Sequence, residues 1–413
     1  MTKIQNIKAR MILDSRGIPT IETSVKTADG ISTASVPSGK STGINEAIEF
    51  RDGGKKFHGK GVLKAIKKIN TEIAHKLKQK HTEHADEILL EIDNTQKKSI
   101  LGANTMLSVS MACYRASALA QRIPLYKYIS SVYQTKKIKM PVPSFNVING
   151  GKHAGNSLEI QEYMIMPVGA KNFAQAMQIG SETYTELKEI LTQEYGKNAV
   201  NIGDEGGFAP MLGSYKTPLD LIMDAVHNLG YQKKVKIALD IAATSFYRNG
   251  KYYLEGQELD TEELIGKYSE LCKEYPIISI EDPFQENDFK SFSKLNKKLR
   301  KIQIVGDDLL CTNTARIQKA IITDACNCLL LKMNQIGTLS ESLDAARISM
   351  KQKWNVMVSH RSGETNDSFI ADLAVGIGCG QIKAGATCRG ERLAKYNRLL
   401  KIEEETKTKY GLK

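Results

Sequence analysis

From residue 236 onward the chain repeats one pattern: a short apolar run closes on a charged side chain, a helical segment follows, and the next run begins. The runs are Lys236 to Ile241, Ile277 to Glu281, Ile302 to Asp307, Cys328 to Lys332, Val356 to His360 and Gln381 to Lys383. They end at or near Asp240, Glu281, Asp307, Lys332, His360 and Lys383, and from Glu281 onward the endings fall about 25 residues apart, the length of one strand-and-helix unit. A single charge at a strand end is ordinary, because strand ends meet solvent. Six in succession are not, because a parallel barrel delivers the carboxyl ends of its strands to one mouth. The pattern predicts an α/β barrel with three carboxylates, two lysines and a histidine in one pocket.

The remaining length sets the rest of the architecture. A barrel consumes roughly 250 residues, and the chain has 413, so a second, smaller unit is expected. Before about Lys139 the pattern is mixed. Ile21 to Val25 and Ile31 to Val36 alternate like strands, Val62, Ala65, Ile66, Ile69, Ile73 and Leu77 recur at helical spacing, and Asn104 to Gln121 is a helix of small residues. The basic run Lys136, Lys137, Lys139, followed by Pro141 and Pro143, marks the boundary. We therefore expect an α+β unit over residues 1–138 and an α/β barrel over 139–413.

Three carboxylates held together repel one another unless a cation shares the space, and an oxygen-only donor set favours Mg²⁺. Asp240, Glu281 and Asp307 are the expected ligands. Such an ion polarises a substrate carboxylate and acidifies the adjacent C–H. Lys332 is then the expected base, with its pKa depressed by Lys383 and the metal. Glycine-flanked loops supply further candidates: Val36 to Gly43, Asn149 to His153, Gln161-Glu162, and Gly203 to Gly207, where two acids are framed by three glycines.

Other readings carry less. The net charge of +12 suits an anionic partner, but lysines such as Lys64, Lys67, Lys68, Lys76 and Lys78 read as a solvated helix face. RNA or surface-ligand binding is at most an additional role. Seven cysteines without a C-x-x-C pair fit reduced, buried thiols. No window offers a membrane span or a leader, so a cytoplasmic protein is expected, with an additional cell-surface or secreted pool left open. Ala34 to Ser41 satisfies a loose phosphate-loop pattern, yet Ala34 replaces its first glycine and Pro37 removes a backbone donor.

The motifs DSRG (Asp14 to Gly17), PSGxSTG, HGKGV (His58 to Val62), GANxxLxVSMA, PVPxxNxINGGxHA, IQExMI, GDEGGFAP, SIEDP, GDDL, LLLKMNQIGTLSE, VSHRSGETND and QIKAGA run nearly end to end. Through them the chain resembles the bacterial-type enolases. The resemblance implies Mg²⁺-dependent dehydration of 2-phosphoglycerate to phosphoenolpyruvate, with one ion on Asp240, Glu281 and Asp307 and a second arriving with substrate at Ser41. It implies Lys332 as base and Glu205, helped by Glu162, as acid. His153, Gln161 and His360 would line the pocket, Arg361 and Ser362 would grip phosphate, and Lys383 would bind the carboxylate. It also implies a homodimer or an octamer of dimers. Two positions depart from the pattern: Lys40 stands where Ala is usual and Gly390 where Ser is usual. Lys40 is expected to tighten phosphate binding.

Overall fold

A computed structural model describes residues 2–40 and 43–412. Ser41, the expected site of the second ion, lies outside the described residues.

The amino-terminal unit opens with an antiparallel meander of β1 (Asn6–Leu13), β2 (Pro19–Thr27) and β3 (Gly30–Ser35). The alternation Ile7 buried, Lys8 exposed, Ala9 buried, Arg10 exposed gives β1 one wet face. The helical spacing from Val62 to Leu77 is realised as Leu63–Lys68 and Ala74–Leu77 joined by one wider π turn, Ile69–Ile73, which keeps Ile69, Ile73 and Leu77 fully buried. The helix Ala103–Ala120 is buried on nearly all sides over its first half. Its serines explain how: Thr23 Oγ1 on the sheet donates to Ser108 Oγ at 2.8 Å, and Ser110 Oγ accepts from Leu339 N at 3.0 Å on the barrel side. Small side chains let the helix lie between two layers while hydroxyls satisfy the polar groups enclosed there.

The barrel is closed and eight-stranded: β4 (Val142–Asn149), β5 (Glu162–Met166), β6 (Lys236–Asp240), β10 (Ile277–Glu281), β11 (Gln303–Gly306), β12 (Cys328–Leu331), β13 (Asn355–Ser359) and β14 (Gly380–Lys383). A small sheet of β7 (Tyr247–Arg248), β8 (Lys251–Leu254) and β9 (Gln257–Leu259) lies between β6 and β10 in the chain. The expected strands are present, with one difference in direction. β5 runs antiparallel to both β4 and β6. A reversed strand brings its beginning, not its end, to the mouth, and Glu162, the first residue of β5, lies opposite Asp240 and Asn149. The all-parallel expectation is corrected at this one strand.

The loose phosphate-loop pattern also resolves structurally. Val36 to Lys40 leave β3 as an extended strap, and a turn rather than a helix follows at residues 44–46. A phosphate loop needs the amino end of a helix there.

Candidate active site

The barrel mouth holds a cavity of about 220 Å³. Asp240, Glu281 and Lys383 end β6, β10 and β14, while Asp307, Lys332 and His360 each lie one residue beyond β11, β12 and β13. All six are buried or nearly so.

Two lysines divide the acids between them. Lys383 Nζ lies 2.9 Å from Glu162 Oε2, 3.1 Å from Asp240 Oδ2 and 2.9 and 3.0 Å from the two oxygens of Glu281. Lys332 Nζ donates to Asp307 Oδ2, while Gln335 Nε2 donates to Asp307 Oδ1 at 2.9 Å. Burial works against the charge on both lysines, but the facing carboxylates outweigh it and hold both above the ordinary lysine range. The depression of Lys332 expected from sequence relies on a bound metal as well as Lys383; among the protein's own charges the contact with Asp307 outweighs Arg361 and Lys383.

The second constellation centres on Glu205. Its turn requires glycine: Gly206 has φ +87°, and a Cβ on Gly207 would stand 2.8 Å from Asn149 Oδ1. Asn146 Nδ2 donates to Glu205 Oε2 at 3.0 Å, His360 Nε2 lies 3.4 Å from the same oxygen, and His153 Nδ1 lies 3.5 Å from Oε1 and 3.4 Å from Glu162. Arg392, fully buried, sets the His360 tautomer. Its Nη1 lies 2.7 Å from His360 Nδ1, and since arginine only donates, Nδ1 accepts and Nε2–H faces Glu205. Burial drives both imidazoles below their usual range, His360 to about 3. Burial, then the Glu205 charge, pushes Glu162 well above the ordinary carboxyl range. Burial would raise Glu205 too, but His153, His360 and Arg392 outweigh it and hold it well below. Of the two, Glu162 is therefore the readier to hold a proton.

Arg361 is buried and paired bidentately with Glu46, Nη1 to Oε2 at 2.9 Å and Nη2 to Oε1 at 3.1 Å, with Asn334 Oδ1 accepting from Nη1 at 2.8 Å. Beside it, Ser362 Oγ accepts from Lys40 N at 2.8 Å. Gln161 Nε2 donates to Asp240 Oδ2 at 3.2 Å. Every expected site residue among the described ones lies at this mouth. Sequence reasoning missed Glu46, Gln335 and Arg392, whose partners are distant in the chain. Signals existed in the acid of STGINEA, the amide of KMNQIG and the arginine after Gly390.

The donor set fits a divalent cation. The lining carries seven carboxyl side chains against four lysine or arginine side chains, and the strain of that imbalance shows in the acids. Burial, then Asp240, pushes Glu281 well above its ordinary range, burial and the neighbouring aspartates do the same to Asp282, and burial and Asp307 raise Asp308 to about 8. Among the described residues, ligand atoms fall within 4.8 Å of one another in two groups, His153–Glu162–Glu205 and Asp282–Asp307–Asp308, and Asp240 and Glu281, both in contact with Lys383 Nζ, belong to neither. The second group shares Asp307 with the expected triad.

Fold and site together define an α/β-barrel enzyme with a buried, carboxylate-rich mouth that could hold a metal ion. The family model described as the enolase C-terminal TIM barrel domain matches residues 137–411, and that of the enolase N-terminal domain matches 4–129. The enolase of Methanocaldococcus jannaschii is 52% identical over 407 residues, covering 98% of this chain and 95% of the relative. That of Methanococcus aeolicus is 52% identical over 407 residues, covering 97% and 95%, and enolase B of Dictyostelium discoideum is 50% identical over 419 residues, also covering 97% and 95%. The chain belongs to the enolase family.

Proposed function

We infer that this protein catalyses the reversible dehydration of 2-phosphoglycerate to phosphoenolpyruvate, as a hydro-lyase. The observation that carries the reading is the pairing, in one cavity, of a lysine fastened to an acid that could ligate a metal with two buried carboxyl groups, Glu162 and Glu205, that face the same His153 nitrogen at 3.4 and 3.5 Å.

In this reading Asp240, Glu281 and Asp307 would hold Mg²⁺, and Ser41 would hold a second ion brought with the substrate. A metal held by these acids would supply Lewis-acid polarisation of the substrate carboxylate and would balance the Asp307 charge that otherwise holds Lys332 protonated. Lys332, relieved of that pairing, abstracts the proton alpha to the carboxylate, giving an enolate. Glu205 with Glu162 protonates the departing hydroxyl, Glu162 being the readier of the two to carry the proton. His153, Gln161 and His360 line the pocket, with His360 donating to Glu205 to fix its orientation. Arg361 and Ser362 bind the phosphate, Glu46 holding the guanidinium plane, and Lys383 faces the carboxylate.

Residues 1–138 and 139–413 act as capping and catalytic units. The chain works as a homodimer or an octamer of dimers in the cytoplasm; sedimentation of the purified protein as a monomer would contradict the assembly. No helix among the described residues is long and apolar enough to cross a membrane. Proton NMR of the protein mixed with 2-phosphoglycerate and Mg²⁺ tests the reaction. The vinyl signals of phosphoenolpyruvate are expected, and their absence would contradict the reading.

A further inference from the structure

The strap from Val36 to Lys40 is fastened along one flank. Ser38 and Gly363 exchange backbone hydrogen bonds of 2.8 and 2.9 Å, Lys40 N donates to Ser362 Oγ at 2.8 Å, and the Arg16 guanidinium donates to the carbonyls of Ser38 and Gly39 at 3.2 and 3.4 Å. The contacts with Gly363 and Ser362 tie the strap to the rim that carries Arg361, and Arg16, in the turn between β1 and β2, links to the same rim through Ser362 Oγ at 3.5 Å. On the other flank, Lys40 Nζ reaches Asp204 Oδ2, 2.9 Å away.

Asp204 immediately precedes Glu205, and its main chain is already fixed: Arg392 Nη2 donates to its carbonyl at 2.8 Å. Its Oδ2 is buried and accepts no well-directed hydrogen bond among the described residues, so the ammonium is the group that balances it. Sequence reasoning assigned the Lys40 charge to the substrate phosphate. Here that charge is engaged by an acid of the turn that carries Glu205.

We propose that Lys40 is a positioning residue: its ion pair with Asp204 fastens the strap to the Gly203–Gly207 turn and thereby raises substrate affinity without Lys40 itself receiving the phosphate. The proposal rests on the reading above, in which Arg361 and Ser362 bind phosphate beside the strap. The pair is partly exposed, with 43% and 25% of the two side chains accessible. A pair of that kind shifts an equilibrium about two- to five-fold at low ionic strength and is screened by salt.

The test is steady-state kinetics of the Mg²⁺-loaded, full-length protein with 2-phosphoglycerate, comparing wild type, Lys40→Ala, Asp204→Asn, the double variant and the exchanged pair Lys40→Asp with Asp204→Lys. Each single variant is expected to raise KM about two- to five-fold in low salt with kcat little changed. The double variant should raise KM no further than either single one, the exchanged pair should recover part of the loss, and the differences should fade near about 0.5 M salt. A lower or unchanged KM in Asp204→Asn beside a raised KM in Lys40→Ala would overturn the proposal, because it would mean that the lysine meets the phosphate directly. Additive single effects, or effects indifferent to salt, would overturn it too. Arg361→Lys separates the two levels: if that change leaves KM unaltered, the phosphate reading itself fails. If it raises KM while the Lys40 and Asp204 variants do not, only this proposal fails.

Discussion

Replacing Lys332 with alanine removes the expected base and one half of a buried ion pair, and the two losses are separable. The side chains of Lys332 and Asp307 are 13% and 11% exposed. Without the ammonium, Asp307 keeps, among the described residues, the Gln335 amide on Oδ1. Breaking a buried pair costs about 3–5 kcal/mol, and the nearby Arg361 and Lys383 charges place this case at the lower end, about 3 kcal/mol. In EDTA, where the acid has no substitute cation, the thermal midpoint should fall by about 6 °C, at about 2 °C per kcal/mol for a barrel of this size. Mg²⁺ should return most of that loss, since it replaces the missing positive charge at Asp307. Catalysis should not return with it. Exchange of the substrate α-hydrogen with D₂O, followed by loss of its NMR signal, should slow by at least about a thousand-fold, within the usual range for removing a general base. Exchange within about ten-fold of wild type would refute Lys332 as the base. A midpoint equally depressed with and without Mg²⁺ would refute the charge-balance account of Asp307.

Glu205→Gln should leave α-hydrogen exchange intact while water loss stops; equal loss of both steps would remove its assignment to the acid. Arg361→Lys should raise KM by about ten-fold or more, because lysine does not reproduce a bidentate fork, and titration with inorganic phosphate checks the same loss independently. His360 should contribute to acid sensitivity. Its folded pKa of about 3 lies below the unfolded value of about 6.5, so the unfolded chain binds the extra proton between those values. Stability from this group is complete above about pH 6.5 and falls on acidification by up to about 1.4 kcal/mol per pH unit. Urea titrations in EDTA at pH 7 and pH 5 should therefore show a smaller acid-induced loss for His360→Gln than for wild type.

Much of this site was legible because a barrel converts a one-dimensional regularity into a place. Asp240, Glu281, Asp307, Lys332, His360 and Lys383 needed no knowledge of side-chain packing: each follows an apolar run, and parallel strands bring such endings together. Glu162 was found through its motif, and the reason it reaches the mouth was hidden, since nothing in IQEYMI announces that β5 runs backwards. The same gap explains Glu46. It lies 315 residues from Arg361, and only the docking of the amino-terminal unit makes them partners. The ranking of the protein's own charges around Lys332 was likewise a matter of distance. Sequence identified the charges around it but could not rank a contact with Asp307 above the more remote cations. The Lys40–Asp204 contact was hidden for a related reason, because Asp204 sits on a different loop whose approach no local pattern encodes.

The central claim is that this mouth forms phosphoenolpyruvate with a divalent ion on its carboxylates, and the ultraviolet absorbance of that product tests it most directly. Purified protein given 2-phosphoglycerate and Mg²⁺ should show a steady rise in absorbance that ceases on adding excess EDTA and resumes when Mg²⁺ is restored. No rise, or a rise that EDTA leaves untouched, would contradict it.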